Sequence, residues 1–284
     1  MSKILSDEQV SLFNENGFIV LKGFYDVENQ VDPILLAIYE IIGICLEKNN
    51  IEIERRPFSR EHFDHGYQAL IKKDRSIGGV IYDAVKQIPA FQRLVSCQKH
   101  EDLVKQLRKT NLAGIASGGS GIRIDNPAEK QYQAPWHQEF PAQLRSLDGL
   151  IFWSPLRNLT QQLGPVEICP QSQQEGIIPV YSDSKASGKS GAYALRLENE
   201  EQIVAKYQSA APLADQGDLV LMDWLVVHRS GTNNSAESRW TMQIRYFNFM
   251  DKMGVSNDWK GSFASGVDFR DVFPELILAS KDLS

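Results

Sequence analysis

Cysteine is scarce in this 284-residue sequence, and the three present, Cys45, Cys97 and Cys169, stand in no metal or redox spacing. That excludes a disulfide-stapled scaffold and a thiolate metal cluster. It fits reduced thiols in a cytoplasm, with at least one of the three unpaired. Long apolar runs are missing too. The most apolar stretch, Ile34 to Leu46, is interrupted by Glu40 and is too short to cross a bilayer, so no membrane role is expected. The opening Met1-Ser2-Lys3-Ile4-Leu5-Ser6 lacks the basic-then-apolar pattern of a secretory signal. Positive charge is in deficit. Lys and Arg number 30 against 36 Asp and Glu, a net charge of −6, which argues against a nucleic-acid partner. No Pro/Ser/Gly linker, repeat or low-complexity tract divides the chain, so a single domain over 1–284 is expected.

What the chain does have is ordinary core material, 42% hydrophobic, and a change of texture part-way along. Ser6 with Gln9 makes a capping box for a helix ending near Gly17. Asp32-Pro33 caps and opens a buried-looking helix of roughly 15 residues. Further helical patterns cover 60–73, 81–86 and 101–109. From Ile122 onward short strands dominate, near 122–125, 133–139, 149–155, 165–169, 203–209, 218–222, 225–228 and 239–249. The expected architecture is mainly β with flanking helices: a helical part over about 1–115, a double-stranded β-helix (jelly-roll, cupin-like) core over about 116–250, and a C-terminal extension 251–284. Ser182 to Gly191, polar and rich in Ser and Gly, reads as a loop, either a lid over a substrate or plain surface.

The chemistry is concentrated in Pro135-Trp136-His137-Gln138-Glu139 and, 91 residues beyond His137, in His228. Positions i and i+2 of a strand share a face, so His137 and Glu139 can reach one metal ion, with His228 as the third ligand. Two His and one carboxylate on one side of a metal form the facial triad of non-haem Fe(II) oxygenases. Its vacant positions accept a chelating co-substrate and dioxygen. After His228 the sequence alternates. Arg239, Thr241, Gln243 and Arg245 fall on one strand face, and Trp240, Met242, Ile244 and Tyr246 on the other. Were the polar face to point into a barrel, a buried Arg would need an anion, and a dicarboxylic acid would supply it. Were it to face water, Arg and Gln would be ordinary surface residues. The nearby His228 favours the first reading for Arg239 and leaves Arg245 open.

Rival patterns are weaker. His62-Phe63-Asp64-His65 repeats the His-x-Asp spacing but has no downstream partner of the kind that follows His228, so contact with substrate is the better reading there. His100 beside Glu101 reads as a surface residue at a helix start. Trp136 and Phe140 flank the proposed ligands, and Phe24, Trp224 and Tyr246 are expected in the core.

Taken in order, these segments resemble the phytanoyl-CoA dioxygenase family of Fe(II)/2-oxoglutarate oxygenases. The resemblance rests on Arg123-Ile124-Asp125, Trp136-His137-Gln138-Glu139, Phe152-Trp153-Ser154-Pro155-Leu156 and Gly164-Pro165-Val166-Glu167. It continues through Gly217-Asp218-Leu219-Val220-Leu221-Met222-Asp223, His228-x-Ser230-Gly231 and Arg239, and spans about Leu5 to Tyr246. It implies that His137, Glu139 and His228 hold Fe(II). It implies also that Arg239, eleven residues past His228, binds the distal carboxylate of 2-oxoglutarate with help from Ser230, and that Trp153 lines that pocket. The implied reaction consumes O₂ and 2-oxoglutarate, releases succinate and CO₂, and hydroxylates a small molecule. Desaturation and cyclisation are open to the same centre, and a non-catalytic jelly-roll binding protein is the rival class. Halogenating relatives give up the carboxylate that this chain keeps. Two departures stand out: Glu139 where the family more often has Asp, and Pro170-Gln171-Ser172-Gln173 where it has Pro-Gly-Ser-His. Without a basic cluster for a CoA phosphate, the favoured substrate is a natural product or other small polar compound.

Overall fold

The protein is described by a computed structural model covering residues 3–182, 195–261 and 268–278. Most of Ser182–Gly191 therefore lies outside the described residues. The N-terminal third is helical. Helix α1 (Asp7–Asn16) begins at the expected capping box, with Ser6 accepting from the Gln9 amide, and stops at Gly17, whose left-handed φ of 73° only glycine adopts freely. Helices α2 (Asp32–Lys48), α3 (Tyr67–Lys73), α4 (Ser76–Val85), α5 (Pro89–Val95) and α6 (Gln98–Arg108) follow. With the turn before it, α2 makes a continuous helical run Val27–Lys48 of 22 residues, long and apolar enough to cross a bilayer by length and composition alone. This corrects the expectation from the shorter apolar stretch. Ile34, Leu35, Ile38 and Ile42 of that run are buried in the core.

The main sheet is antiparallel, in the order β1 (Phe18–Leu21), β8 (Leu219–Asp223), β4 (Gly149–Pro155), β10 (Arg239–Asn248), with β2 (Ala113–Ile115) and β3 (Gly121–Asp125) sharing the far edge of β10. Its two faces follow the period of the sequence. Trp240, Met242, Ile244 and Tyr246, with Leu150, Phe152, Leu219 and Leu221, pack outward on the helical layer. Ile151, Trp153, Val220 and Met222 point inward and meet Leu163, Val166, Ile168 and Val226 from the opposite wall. That wall is the small ladder of β5 (Glu167–Ile168) and β9 (His228–Arg229). Two unequal walls enclosing a cavity make the jelly-roll core expected from the sequence, although helices take a larger share of the molecule than "mainly β" suggests. A third apolar cluster joins α7 (Phe140–Gln143), β6 (Val180–Ser182) and β7 (Leu195–Leu197), and α8 (Glu200–Tyr207) packs against it.

Four expected elements differ, the first being the strand expected at 225–228, of which only His228 lies in one. The stretch 133–139 is no strand, because Pro135 and Pro141 lack the amides a ladder needs, and pairing survives only as a single bridge at His137. The segment 203–209 is mostly helix α8, whose Ile203, Val204 and Tyr207 have helical spacing and whose Glu200 and Glu201 sit in its first turn. Residues 60–66 are turns, so α3 starts only at Tyr67, after Gly66 at φ 103°.

Candidate active site

The cavity between the walls has a volume of about 300 Å³. His137 and His228 line it side by side. They form an antiparallel bridge in which each amide donates to the other's carbonyl at 3.0 Å. Their ring centroids are 4.2 Å apart. The Nδ1 of His137 lies 2.7 Å from the Pro135 carbonyl, and that of His228 lies 3.0 Å from the Val226 carbonyl. Carbonyls only accept, so both Nδ1 atoms carry the proton and both Nε2 lone pairs are left for a metal.

Glu139 arrives differently. It sits in helical conformation at the start of α7, with its amide donating to the Trp224 carbonyl at 2.8 Å. It therefore joins His137 through a turn into a helix, and not through the strand alternation expected of i and i+2. Its Oε2 lies 3.9 Å from His137 Nε2 and 3.8 Å from His228 Nε2. One ligand atom from each of the three residues falls within 4.8 Å of the others. The other oxygen, Oε1, is held from behind by Arg245 Nε at 2.7 Å and Gln143 Nε2 at 3.0 Å.

Burial alone would raise the Glu139 carboxyl, but the Arg245 guanidinium, aided by His137, outweighs it and holds the group down at about 2. Burial, then His228, pushes His137 down to about 3 against the pull of Glu139. Burial also lowers His228. An anionic carboxylate and two neutral imidazoles are the protonation states that metal binding requires.

Arg239 is buried at the other end of the cavity. Its Nη2 pairs with Asp125 at 2.8 Å and its Nη1 donates to the Gly231 carbonyl at 3.1 Å, while its buried Nε has no partner among the described residues. Arg123 grips the same Asp125, with Nε at 2.8 and 3.0 Å from the two carboxylate oxygens. Burial would raise Asp125, but Arg123 and then Arg239 hold it down at about 2. Two guanidinium groups around one carboxylate leave a net positive charge and a free N–H donor, which suits the far carboxylate of a dicarboxylic acid. Ser230 and Trp153 line the same cavity. The turn after His228 is packed tightly, since a side chain on Gly231 would collide with the backbone of Gly164 and Pro165.

Arg245, left open by the sequence, proves to be at the site, and so do Asp125, Arg123 and Gln143. Asp125 was legible in principle: it shares a face of β3 with Arg123 and is paired with Arg239 in the strand register. The rival cluster is spent on structure. Asp64 accepts from Trp240 Nε1 at 2.9 Å and from Arg157 at 2.8 Å, while Arg56 engages both His62 and His65. None of His62, Asp64 and His65 lines this cavity among the described residues. His100 is fully buried and not on the surface: its Nε2 lies 2.8 Å from the Tyr25 hydroxyl and its ring packs 4.4 Å from that of Phe152.

The family model of phytanoyl-CoA dioxygenase (PhyH) matches residues 13–241. The phytanoyl-CoA dioxygenase domain-containing protein 1 homolog of Dictyostelium discoideum is 22% identical over 276 residues, covering 89% of this chain and 95% of that protein. Among solved structures, EctD from S. alaskensis with 2-oxoglutarate and 5-hydroxyectoine superposes with a TM-score of 0.54 at 15% identity, over 87% of this chain and 77% of that one. The non-heme alpha ketoglutarate dependent carbocyclase SnoK from nogalamycin biosynthesis gives 0.53 at 15% identity, over 86% and 85%.

Proposed function

The chain belongs to the phytanoyl-CoA dioxygenase (PhyH) family, and from that premise we propose that it is an Fe(II)/2-oxoglutarate-dependent oxygenase hydroxylating an unactivated C–H of a small molecule. The observation that carries this is the convergence of His137, Glu139 and His228 within 4.8 Å, beside a buried arginine with a free donor. In this reading His137 Nε2, His228 Nε2 and Glu139 Oε2 hold the iron, and Arg239, with Ser230 nearby, holds the far carboxylate of 2-oxoglutarate. When bound together with O₂, these groups supply an oxidant able to remove hydrogen from a C–H bond, with release of succinate and CO₂.

The chain's own residues do the positioning. The carbonyls of Pro135 and Val226 fix the imidazole tautomers. Arg245 and Gln143 hold Oε1, and Arg245 Nη2 also reaches Oε2 at 3.3 Å, so the carboxylate is fixed as a whole with Oε2 turned to the two imidazoles. Trp153, Ile151 and Met222 line one wall of the cavity with apolar surface. The chain works as one unit in this reading, in a cytoplasmic setting, on a natural product or similar compound. A cyclising outcome is the second reading, since SnoK, of the same fold, is described as a carbocyclase.

The test is anaerobic addition of Fe(II) and 2-oxoglutarate, which should produce a visible charge-transfer band in the parent protein and none in His137→Ala. A parent protein that gives no band and releases no succinate in air would leave the non-catalytic binding protein as the better reading.

A further inference from the structure

Beyond the cavity lies a second chamber of about 420 Å³, bounded by α3, α4, β3 and the turn Lys130–Tyr132. Tyr82 and Arg123 line both spaces, so the two adjoin. We propose that this chamber receives the part of the substrate remote from the oxidised atom, and that this part is an uncharged, planar ring system. The proposal rests on the oxygenase reading for the word substrate, but the chamber's binding preference can be measured by itself.

Three observations carry it. First, the walls are aromatic: Tyr67, Tyr82 and Tyr132 surround the space, with Ile124 on the strand side. Such walls bind flat apolar surfaces by stacking and by removing them from water.

Second, each arginine at the chamber already holds a carboxylate. The Arg75 guanidinium is held by both oxygens of Glu129, one of them at 2.7 Å, and lies 4.9 Å over the ring of Tyr132. Arg123 is tied to Asp125. Glu129 covers the Arg75 guanidinium with both oxygens, so a phosphate or carboxylate entering beside it would meet a carboxylate already in place, whereas a neutral ring would not.

Third, α4 carries two consecutive glycines, Gly78 and Gly79, and glycine is the poorest helix former after proline. Gly78 has a reason within the protein, because a side chain there would strike the Arg75 guanidinium and crowd the Tyr67 hydroxyl. Gly79 has none. A Cβ added there would meet nothing within 4 Å, and the position borders the chamber. Gly79 is exposed and leaves the rim of the chamber open.

The experiment uses the full chain with Fe(II) and 2-oxoglutarate under anaerobic conditions, and 2-naphthol and 2-naphthoate as neutral and anionic probes followed by their own fluorescence. The parent should bind 2-naphthol at least tenfold more tightly than 2-naphthoate. Gly79→Phe, which fills the chamber from an exposed helix position, should weaken 2-naphthol binding at least tenfold while keeping the charge-transfer band. Tyr132→Ala, at a half-exposed position, should weaken it as well. Unchanged 2-naphthol affinity in both variants, or naphthoate bound as tightly as naphthol, overturns the proposal. Absence of the band in every protein, with 2-naphthol still lost in Gly79→Phe, would sink the oxygenase reading and leave the chamber standing as a binding site for neutral rings.

Discussion

Two arginines on one face of β10 divide the work of the cavity between them. Arg245 touches Glu139, whereas Arg239 bonds Asp125 and the backbone carbonyls of Gly231 and Leu163. Truncating each should therefore raise a different requirement. Arg239→Ala is expected to raise the 2-oxoglutarate concentration needed for half-maximal succinate release by well over tenfold, with little change in the iron requirement. Arg245→Ala should do the opposite, because it removes the charge that holds Glu139 anionic and in place. Losing one charge-assisted hydrogen bond typically costs about 1.5–3 kcal/mol, or roughly 10- to 150-fold in affinity. Titrating each variant with Fe(II) at saturating co-substrate, and then the reverse, measures both. Equal shifts in both titrations would contradict the assignment. From sequence, the alternation of Arg239, Thr241, Gln243 and Arg245 showed that both guanidinium groups share a face, but not which neighbour each meets. Asp125 went unrecognised as a partner because it is distant in sequence and becomes adjacent only through the β3–β10 register.

Among the elements, those whose signal is local were legible. The capping box and terminal glycine of α1, the proline at the start of α2 and the period-2 pattern of β10 all form where expected. Elements defined by their surroundings were not. The ligand segment looks extended, yet prolines on either side limit it to one bridge, and Glu139 is delivered by a helix start. Helix α8 has β-branched residues that suggested a strand, but its apolar positions follow a helical stripe and pack on the third cluster. The departure Pro170-Gln171-Ser172-Gln173 has a structural price that can be measured. Gln171 is held at φ 68°, where the family pattern places glycine, and Ser172 beside it accepts from the Val227 amide at 2.7 Å, next to His228. Replacing Gln171 with glycine should stabilise the protein by up to about 1–2 kcal/mol, since an L side chain is strained in that region. Thermal unfolding of the variant checks this; a lower melting temperature would mean that the Gln171 side chain makes a compensating contact.

For the molecule as a whole, acid is the expected weakness. His100, sealed between the helical layer and the sheet, is pushed by burial down to about 3 from an ordinary 6.5. The folded state therefore keeps it neutral where the unfolded chain binds a proton. The stability this contributes is complete above pH 6.5 and is lost as pH falls from there toward 3. The loss is about 1.4 kcal/mol for each pH unit. Asp125 and Glu139, both held down near 2, add a loss at still lower pH, as the unfolded carboxylates protonate first. Stability measured by denaturant titration from neutral pH downward should fall, and the fall should be shallower in His100→Gln, whose amide does not titrate. Identical slopes in parent and variant would place the acid sensitivity elsewhere.

The reciprocal backbone pairing of His137 with His228 has one more consequence. Their spacing is set by main-chain hydrogen bonds, and the side chains only fill it. Exchanging either imidazole for another side chain would leave those main-chain hydrogen bonds in place. The same contact joins segments 91 positions apart, so the pair of nitrogens exists only once those two segments have met. Neither segment carries that pair by itself.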